Sequence, residues 1–295
     1  MSVSLFASAV RPKIWEPLFQ SLQNTTVNYE IVFSGNCLPL EIPIKSNEDF
    51  IDVIDFKNIN EKKTVKNIWK NLKYIHTNNI KPAQCYEIAR RNCSMETVVW
   101  IADDCEFPDN VIGKAYDYWK SKNNEKLILS IQTKESGYNL PQGALFDMRL
   151  HSFIGGDYTT PLMAPLGMMS RKYLDELGGI DRRYVCGQYE NDIVMRAYQD
   201  GGSVEIFGNK DCFIDIDHLG KSFLMGESNT EADFLNRPFA KGYRQDRLVL
   251  EQSWLVKRSP FIGESVVSKT RLDTFMPYED IDLLTKSQSN KGHWE

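Results

Sequence analysis

Thr97-Val98-Val99-Trp100-Ile101-Ala102-Asp103-Asp104-Cys105-Glu106 is the stretch on which the fold turns. Its first six residues are a near-continuous apolar run, the pattern of a strand buried on both faces of a parallel sheet. Three carboxylates follow at once, and open parallel sheets bind ligands outside the carboxyl ends of their strands. With extended geometry through the run, Asp104 and Glu106 point to one side and Asp103 to the other. Two carboxylates on one side make a hard oxygen site suited to Mg²⁺ or Mn²⁺, completed by water and substrate phosphates. The same residues equally suit a solvated acidic turn leading into a helix after Pro108.

Working outward, Val3–Ala9 is a short strand that ends at the Arg11-Pro12 break, and Ile14–Leu22 has helical spacing. Tyr29–Phe33 is a second strand, closed by Ser34-Gly35-Asn36. Between Cys37 and Asn79 the pattern gives a strand at Phe50–Phe56 and then a Lys- and Asn-rich segment of partly helical character. Pro82 suits the first turn of a helix running to about Cys93. After Pro108, Val111, Ile112, Ala115, Tyr118 and Trp119 form the inner face of another helix, followed by a strand at Leu127–Ile131. Residues 134–163 read as a long polar and aromatic connection. Ala164–Ser170 is a strand, and Arg171–Leu177 a helix stopped by Gly178-Gly179. Glu190–Asp200 is a helix, Ser203–Phe207 and Cys212–Ile216 are strands, and periodicity is weak from there to Glu295. Strands alternating with helices predict an α/β fold with a mostly parallel central sheet flanked by helices.

Composition narrows the function classes. In 295 residues, 40 acids face 35 bases, a formal net charge of -5, where a nucleic-acid binder shows a basic excess. No apolar run reaches the roughly 18 residues of a membrane span. Ala7-Ser8-Ala9 resembles a signal cleavage site, but no basic residue precedes Arg11 and the apolar core is short. Cys37, Cys85, Cys93, Cys105, Cys186 and Cys212 show no CxxC spacing, so free thiols and a cytoplasmic location are expected. A phosphate-binding P-loop, a G-x-G-x-x-G after the first strand, a G-x-S-x-G elbow and an H-E-x-x-H are all missing from the sequence.

Two further features carry chemistry. His218 follows Phe213-Ile-Asp-Ile-Asp217 at the end of an expected strand, where it either adds a nitrogen ligand to the acidic site or is a surface histidine. Gly187-Gln188-Tyr189-Glu190-Asn191-Asp192 opens a helix, and its acids either cap that helix or supply a general base, Glu190, with Asp192 holding base or acceptor.

Taken in order, these segments resemble family-two-like glycosyltransferases of the GT-A fold, over about residues 2–220. The opening strand Val3–Ala9, the second strand Tyr29–Phe33, Ala89-Arg90-Arg91-Asn92 and Trp100–Glu106 stand where that family has its first strands, its Ala-Arg-Asn segment and its DxD motif. Gly178-Gly179-Ile180-Asp181, Glu190-Asn191-Asp192 and Arg196 are similar to its acceptor-side pattern, and His218 to its metal-binding histidine. The resemblance implies transfer of a sugar from a nucleotide diphosphate donor, expected to be a UDP-sugar, to an acceptor hydroxyl, with inversion. It implies a nucleotide bordered by Ala7, Ser8, Val10 and Arg11, with Ser34, Asn36, Arg90, Asp103 and Asp104 also on the donor side and Asp103 facing the ribose or donor sugar. It implies Mn²⁺ or Mg²⁺ on Asp104, Glu106 and His218, and catalysis by Glu190 and Asp192. Two departures stand out: the second strand ends in Ser34-Gly35-Asn36 where the family has acids, and Glu190-Asn191-Asp192 replaces a Glu-Asp pair.

The expected organisation is a transferase domain over 1–220, with a nucleotide-sugar half to about 133 and an acceptor half from about 134, then a C-terminal extension over 221–295 serving as acceptor wall or lid. The acceptor class is open: a glycan, a lipid-linked molecule or another hydroxyl compound. Lys241, Arg244, Arg247, Lys257 and Arg258 either support peripheral membrane association or form a solvated face. Two other functions are compatible with the sequence: a catalytically inactive sugar-nucleotide or glycan-binding domain, and a nucleotidyltransferase on a related sheet. The latter normally carries a glycine-rich signature after the first strand, which Ala7–Pro12 lacks.

Overall fold

The Thr97–Trp100 run lies near the middle of a nine-stranded sheet with all four residues buried. The structure is a computed structural model, and it describes residues 2–36, 49–55, 62–67, 71–77, 81–137, 140–145, 161–217, 238–254, 257–258, 265–266 and 268–279. From the N-terminus, β1 (Ser2–Ser8) leads through a short turn of 3-10 helix into α1 (Trp15–Leu22), then β2 (Asn28–Gly35), β3 (Asp49–Asp55), β4 (Lys62–Asn67) and β5 (Leu72–His76). Next come α2 (Pro82–Arg91), β6 (Thr97–Trp100), β7 (Cys105–Glu106), α3 (Val111–Ser121), β8 (Leu127–Ile131), β9 (Thr133–Gly137) and β10 (Leu140–Leu145). The chain continues through β11 (Gly167–Ser170), α4 (Arg171–Glu176), α5 (Tyr189–Gln199), β12 (Ser203–Phe207), β13 (Ile214–Asp217), α6 (Pro238–Trp254), β14 (Lys257–Arg258) and β15 (Ser265–Val266).

The large sheet has the order β12-β8-β11-β6-β1-β2-β5-β3-β4. Its pairings are parallel except at β11, which opposes both β6 and β8, and at β4, which opposes β3 on the edge. A smaller sheet, β10-β9-β13-β7, stands beside it. In β6, Val99 faces one apolar cluster while Val98 and Trp100 face the other, and β1 divides Val3, Leu5 and Ala7 from Phe6 in the same way. Period-2 alternation with both faces covered turns these strands into unbroken apolar runs. One cluster includes Trp15 and Leu18 of α1 and Val111 and Ile112 of α3, and the other Ile88 of α2, Leu174 of α4, Ile193 of α5 and Trp254 of α6. The architecture is the expected α/β sandwich with a mostly parallel centre.

Three segments differ from the sequence reading. The Lys- and Asn-rich stretch expected to be partly helical forms β4 and β5 instead. β5 is an interior strand whose Leu72, Tyr74 and Ile75 are buried, and Lys73 reaches out to the Asn92 carbonyl. Residues 134–163, read as a connection, contain the β9–β10 antiparallel pair, and β9 also runs parallel to β13. The weakly periodic C-terminal region contains α6, 17 residues long, with Leu250 and Trp254 one turn apart in the core. No helix among the described residues is long and apolar enough to cross a membrane.

A buried charge cluster fastens this C-terminal region to the rest. Arg271 donates to Asp192 at 2.9 Å, to Asp181 at 2.6 Å and to Asp273 at 2.8 Å. Arg183 donates to Asp181 at 2.8 Å and to Asp273 at 2.5 Å. Asp181 and Asp192 have no solvent exposure, so each depends on these guanidinium groups. Removing one partner of a buried ion cluster strands the remaining charge and typically costs about 3–5 kcal/mol. Arg271→Ala is expected to lower the urea unfolding free energy by about that amount, and a loss under about 1 kcal/mol would mean that Arg183 and Arg196 alone satisfy both carboxylates.

Candidate functional site

The site begins where β1 and β6 end side by side. Ala9 N–H donates to the Ser34 carbonyl at 2.8 Å, holding the end of β1 against β2. Gly35 permits this approach, because a Cβ there would stand 2.0 Å from the Ala9 carbonyl oxygen. β6 gives way to a turn in which Cys105 N–H donates to the Ala102 carbonyl at 3.3 Å. The extended geometry expected across 103–106 therefore breaks at Asp103 and Asp104, and the chain resumes as β7.

The two turn carboxylates do different work. Asp103, 3% exposed, accepts from the Val10 and Arg11 backbone N–H groups, both at 3.1 Å, from the Trp15 indole at 3.3 Å, and from the Arg11 side chain through Nε at 3.0 Å and through Nη2. It binds the rim of β1 to the end of β6. Asp104, 1% exposed, pairs with Arg11 Nη2 at 3.1 Å. Burial works against the Arg11 charge, but Asp103 and Asp104 outweigh it, so the guanidinium titrates above its ordinary range and stays cationic.

β7 pairs antiparallel with β13, with Asp215 opposite Glu106 and Ile216 opposite Cys105. β13 therefore ends at the acidic turn with Asp217, and His218, the expected third ligand, is the next residue and lies outside the described residues. Among the described residues there is no cluster of three or more His, Cys, Asp or Glu able to hold a metal ion. The described donors are Asp104 and Glu106, hard oxygens of the kind that take Mg²⁺ or Mn²⁺ together with water and phosphate, so the donor chemistry fits such an ion.

Glu190 sits in the first turn of α5 and is half-buried. Burial pushes its carboxyl up to about 7, against the lowering effect of the Glu190 and Gln188 N–H groups, and Asp246 adds a smaller upward push. The loop before it is tightly held. Val185, Cys186 and Gly187 N–H groups all donate to Asp246 of α6, at 2.9, 2.6 and 2.9 Å. Gln188 is fully buried at φ +62°, a left-handed conformation rare for a residue with a Cβ, and its Oε1 accepts from Asn191 at 2.8 Å. Burial also raises Asp246, to about 6, against its three N–H donors.

Tyr86 of α2 connects the two halves. Its hydroxyl donates to the Ile101 carbonyl at 2.6 Å, two residues before Asp103, and its ring packs on Tyr189 with centroids 5.0 Å apart. The acidic turn and the start of the Glu190 helix are thus linked through one half-buried tyrosine.

Other expected site residues lie elsewhere. Asp192, expected beside the base, has no exposed surface: it accepts from Arg196 at 2.8 Å, from the Trp254 indole at 2.9 Å and from Arg271, which leaves no face for an acceptor. Arg90 is bound to Glu87 at 2.8 and 2.7 Å and to Asp175 of α4. The first residue of α4 takes the Glu96 carbonyl, at the end of β6 opposite the acidic turn, so Arg90 is a structural tie and not a donor-side contact. Ala7 is buried in the strand with its side chain in the core, and Ser34 is buried as well. Ser8 is half-buried and Asn36 exposed, while Val10, 48% exposed, and Arg11 border the open rim. Sequence reasoning missed Tyr86, Asp246 and Arg271. The partners of Asp246 are backbone N–H groups some 60 residues away, which no local spacing signals.

Comparison with known proteins places this geometry in a fold class. No protein-family model matches the chain, and no curated protein matches it. Solved structures do match: the S. aureus TarS 1–349 structure in complex with UDP-GlcNAc has a TM-score of 0.52 and 16% identity, covering 85% of this chain and 66% of that one. The same TarS fragment in complex with UDP has a TM-score of 0.50 and 14% identity, covering 85% and 70%. The chain thus spans about two thirds of the length of these TarS chains. The fold is the GT-A glycosyltransferase type that the sequence resemblance implied.

The raised carboxyl has a thermodynamic signature. Between its usual 4.5 and about 7, the folded chain keeps a proton on Glu190 that the unfolded chain has released. Stability therefore falls as pH rises through this window. Unfolding free energies measured across pH 4.5–7 are expected to show that decline, and Glu190→Gln to reduce it, leaving the part that the raised Asp246 contributes below about pH 6. An unchanged slope in the variant would place the Glu190 titration outside the window.

Proposed function

We propose that this chain is a glycosyltransferase that moves a sugar from a nucleotide diphosphate, a UDP-sugar, to an acceptor hydroxyl with inversion, using Glu190 as the general base. The observation that carries this reading is Glu190 itself: a half-buried carboxyl titrating at about 7, at the head of a helix joined through Tyr86 to the acidic turn of a GT-A sheet. General acid–base groups work best when their pKa lies near the operating pH. TarS was crystallised with UDP-GlcNAc and with UDP, which makes this nucleotide the first donor to try.

In this mechanism the nucleotide lies along the rim formed by Ser8, Val10, Arg11 and Asn36. Arg11 carries a fixed positive charge beside Asp104, within reach of a diphosphate arriving at the turn. Asp104 and Glu106, with His218, would hold Mn²⁺ or Mg²⁺, which when bound supplies charge neutralisation for the leaving nucleoside diphosphate. Glu190 accepts the proton of the acceptor hydroxyl as its oxygen attacks the anomeric carbon. The bond from that carbon to the diphosphate oxygen breaks on the opposite face, and its electron pair leaves with the nucleotide. Tyr86 and Tyr189 pack against each other at the start of the base's helix. The acceptor is a glycan, a lipid-linked molecule or another hydroxyl compound met in the cytoplasm, with peripheral membrane association compatible with the basic residues of α6.

Calorimetric titration with UDP, with and without Mn²⁺ and with GDP and CMP as controls, tests the donor site. Metal-dependent binding selective for UDP, weakened at least tenfold by Asp104→Ala, is expected; binding of no nucleotide in either condition overturns the reading. Glu190→Gln is expected to lower turnover by about 10²–10⁴-fold with nucleotide binding unchanged. The wild-type rate should rise with pH to a plateau above an inflection near 7, because the base acts only when ionised. Nucleotide binding without turnover in the wild type against a panel of hydroxyl acceptors favours a catalytically inactive binding domain.

A further inference from the structure

Among the described residues beyond 220, Asp246 is the one that grips the loop delivering Glu190. Asp246, fully buried on α6, receives three consecutive backbone N–H groups, Val185, Cys186 and Gly187, from the loop that delivers Glu190. Buried backbone donors outside a ladder must find acceptors, and these three all find the same one. Docking of α6 does not by itself call for a carboxylate there. Leu250 and Trp254, one and two turns further along, fill the core from the same helix, and the Trp254 indole reaches Asp192. A buried carboxylate at this place carries a desolvation cost that an apolar residue would avoid. What it does, in return, is fix a loop that ends in the left-handed Gln188, two residues before Glu190.

We propose that Asp246 is a positioning residue for the base: by gripping the 185–187 backbone it sets where the Glu190 carboxylate stands. This rests on the reading of Glu190 as general base. Asp246 makes α6 a working part of the active site. The effect on Glu190 is direct, since the Asp246 charge disfavours a second negative charge close by. The other titratable groups beside this pair include a thiol and two phenols. Burial and neighbouring acids hold the Cys186 thiol and the Tyr189 and Tyr278 hydroxyls in their protonated forms. Lys81 and Glu87 are charged groups nearby, Lys81 acting on Cys186 and Glu87 on Tyr278. Among the described residues, Asp246 and Glu190 are the acids that burial lifts toward neutrality.

Asn at 246 keeps the size and one acceptor oxygen but removes the charge, and it turns an N–H₂ toward the loop donors. In Asp246→Asn, kcat is expected to fall about 10²-fold, the loss that follows a displacement of about 1 Å in a catalytic group. The UDP dissociation constant should stay within about twofold, and the Glu190 midpoint, read by carboxyl ¹³C NMR, should move to lower pH. Leu250→Ala serves as the control: it loosens the same helix without touching the carboxylate, and its kcat and midpoint should stay near wild type. Asp246→Glu, which keeps the charge but lengthens the reach by one methylene, should lose kcat while keeping the high midpoint, and it serves alone if the Asn variant fails to fold. An unchanged kcat or an unmoved midpoint in Asp246→Asn overturns the proposal, as does a parallel loss of kcat and nucleotide binding matched by Leu250→Ala. If the wild type transfers no sugar, the glycosyltransferase reading has failed on its own. The NMR midpoint then decides the Asp246 proposal by itself, and an unmoved midpoint overturns it.

Discussion

The Asp103 carboxylate is the tie on which the working edge of this molecule depends. A sheet strand can end anywhere, but a ligand site at the carboxyl ends of two neighbouring strands needs both ends at fixed heights. Asp103 supplies that by taking five N–H groups from Val10, Arg11 and Trp15, all belonging to the segment that leaves β1. A carboxylate can accept about four good hydrogen bonds, so Asp103 has no capacity left for a ligand. Its consequence is positional: Val10 and Arg11 stand at the rim because Asp103 holds them there. Trp15, anchored by its indole, then packs on Phe33 and Tyr74 and carries the constraint into the first apolar cluster.

The same device recurs on the other half of the sheet. Asp192 and Asp181 share Arg271, Glu87 collects Arg90, Arg91 and the Ile180 N–H, and Asp246 collects three loop amides. Each is a buried acid with at least one partner from a different stretch of chain. The acids divide by what satisfies them. Those with guanidinium partners have a cation beside them. Glu190 and Asp246, whose partners are backbone amides, are pushed up by burial to about 7 and about 6. Amides stabilise a carboxylate by dipole alone, so burial retains the upper hand. Among the described residues, these two are the acids that burial lifts toward neutrality.

The distinction explains what was legible in the sequence. The Thr97–Ala102 run, the strand ahead of Arg11 and the helix at Glu190 were readable, because burial on two faces or one leaves a local period. β5 was not, since its apolar signal is three residues set among Lys and Asn, and it is a strand only because β2 and β3 flank it. The β9–β10 pair was hidden for a similar reason: its polar residues hold their place by pairing with β13, a long-range fact. Asp192 looked catalytic by its spacing from Arg196, and that spacing is real, an ion pair one helical turn long at 2.8 Å. Spacing identified the partner and could not reveal that Arg271 and Trp254, coming from the unreadable C-terminal region, close off the remaining oxygen.

Charge at the mouth bears on the proposed chemistry. The turn carries Asp103, Asp104 and Glu106 where the proposed function puts a diphosphate, with Arg11 paired to the first two. Two anions brought within about 4 Å repel by several kcal/mol at the effective dielectric of a protein surface, so a bare diphosphate would be turned away. Under the proposed function, a divalent ion arriving with the nucleotide would offset that repulsion, with Asp104 and Glu106 among the residues to hold it. The acidic turn would then favour the metal-bound nucleotide over the free one.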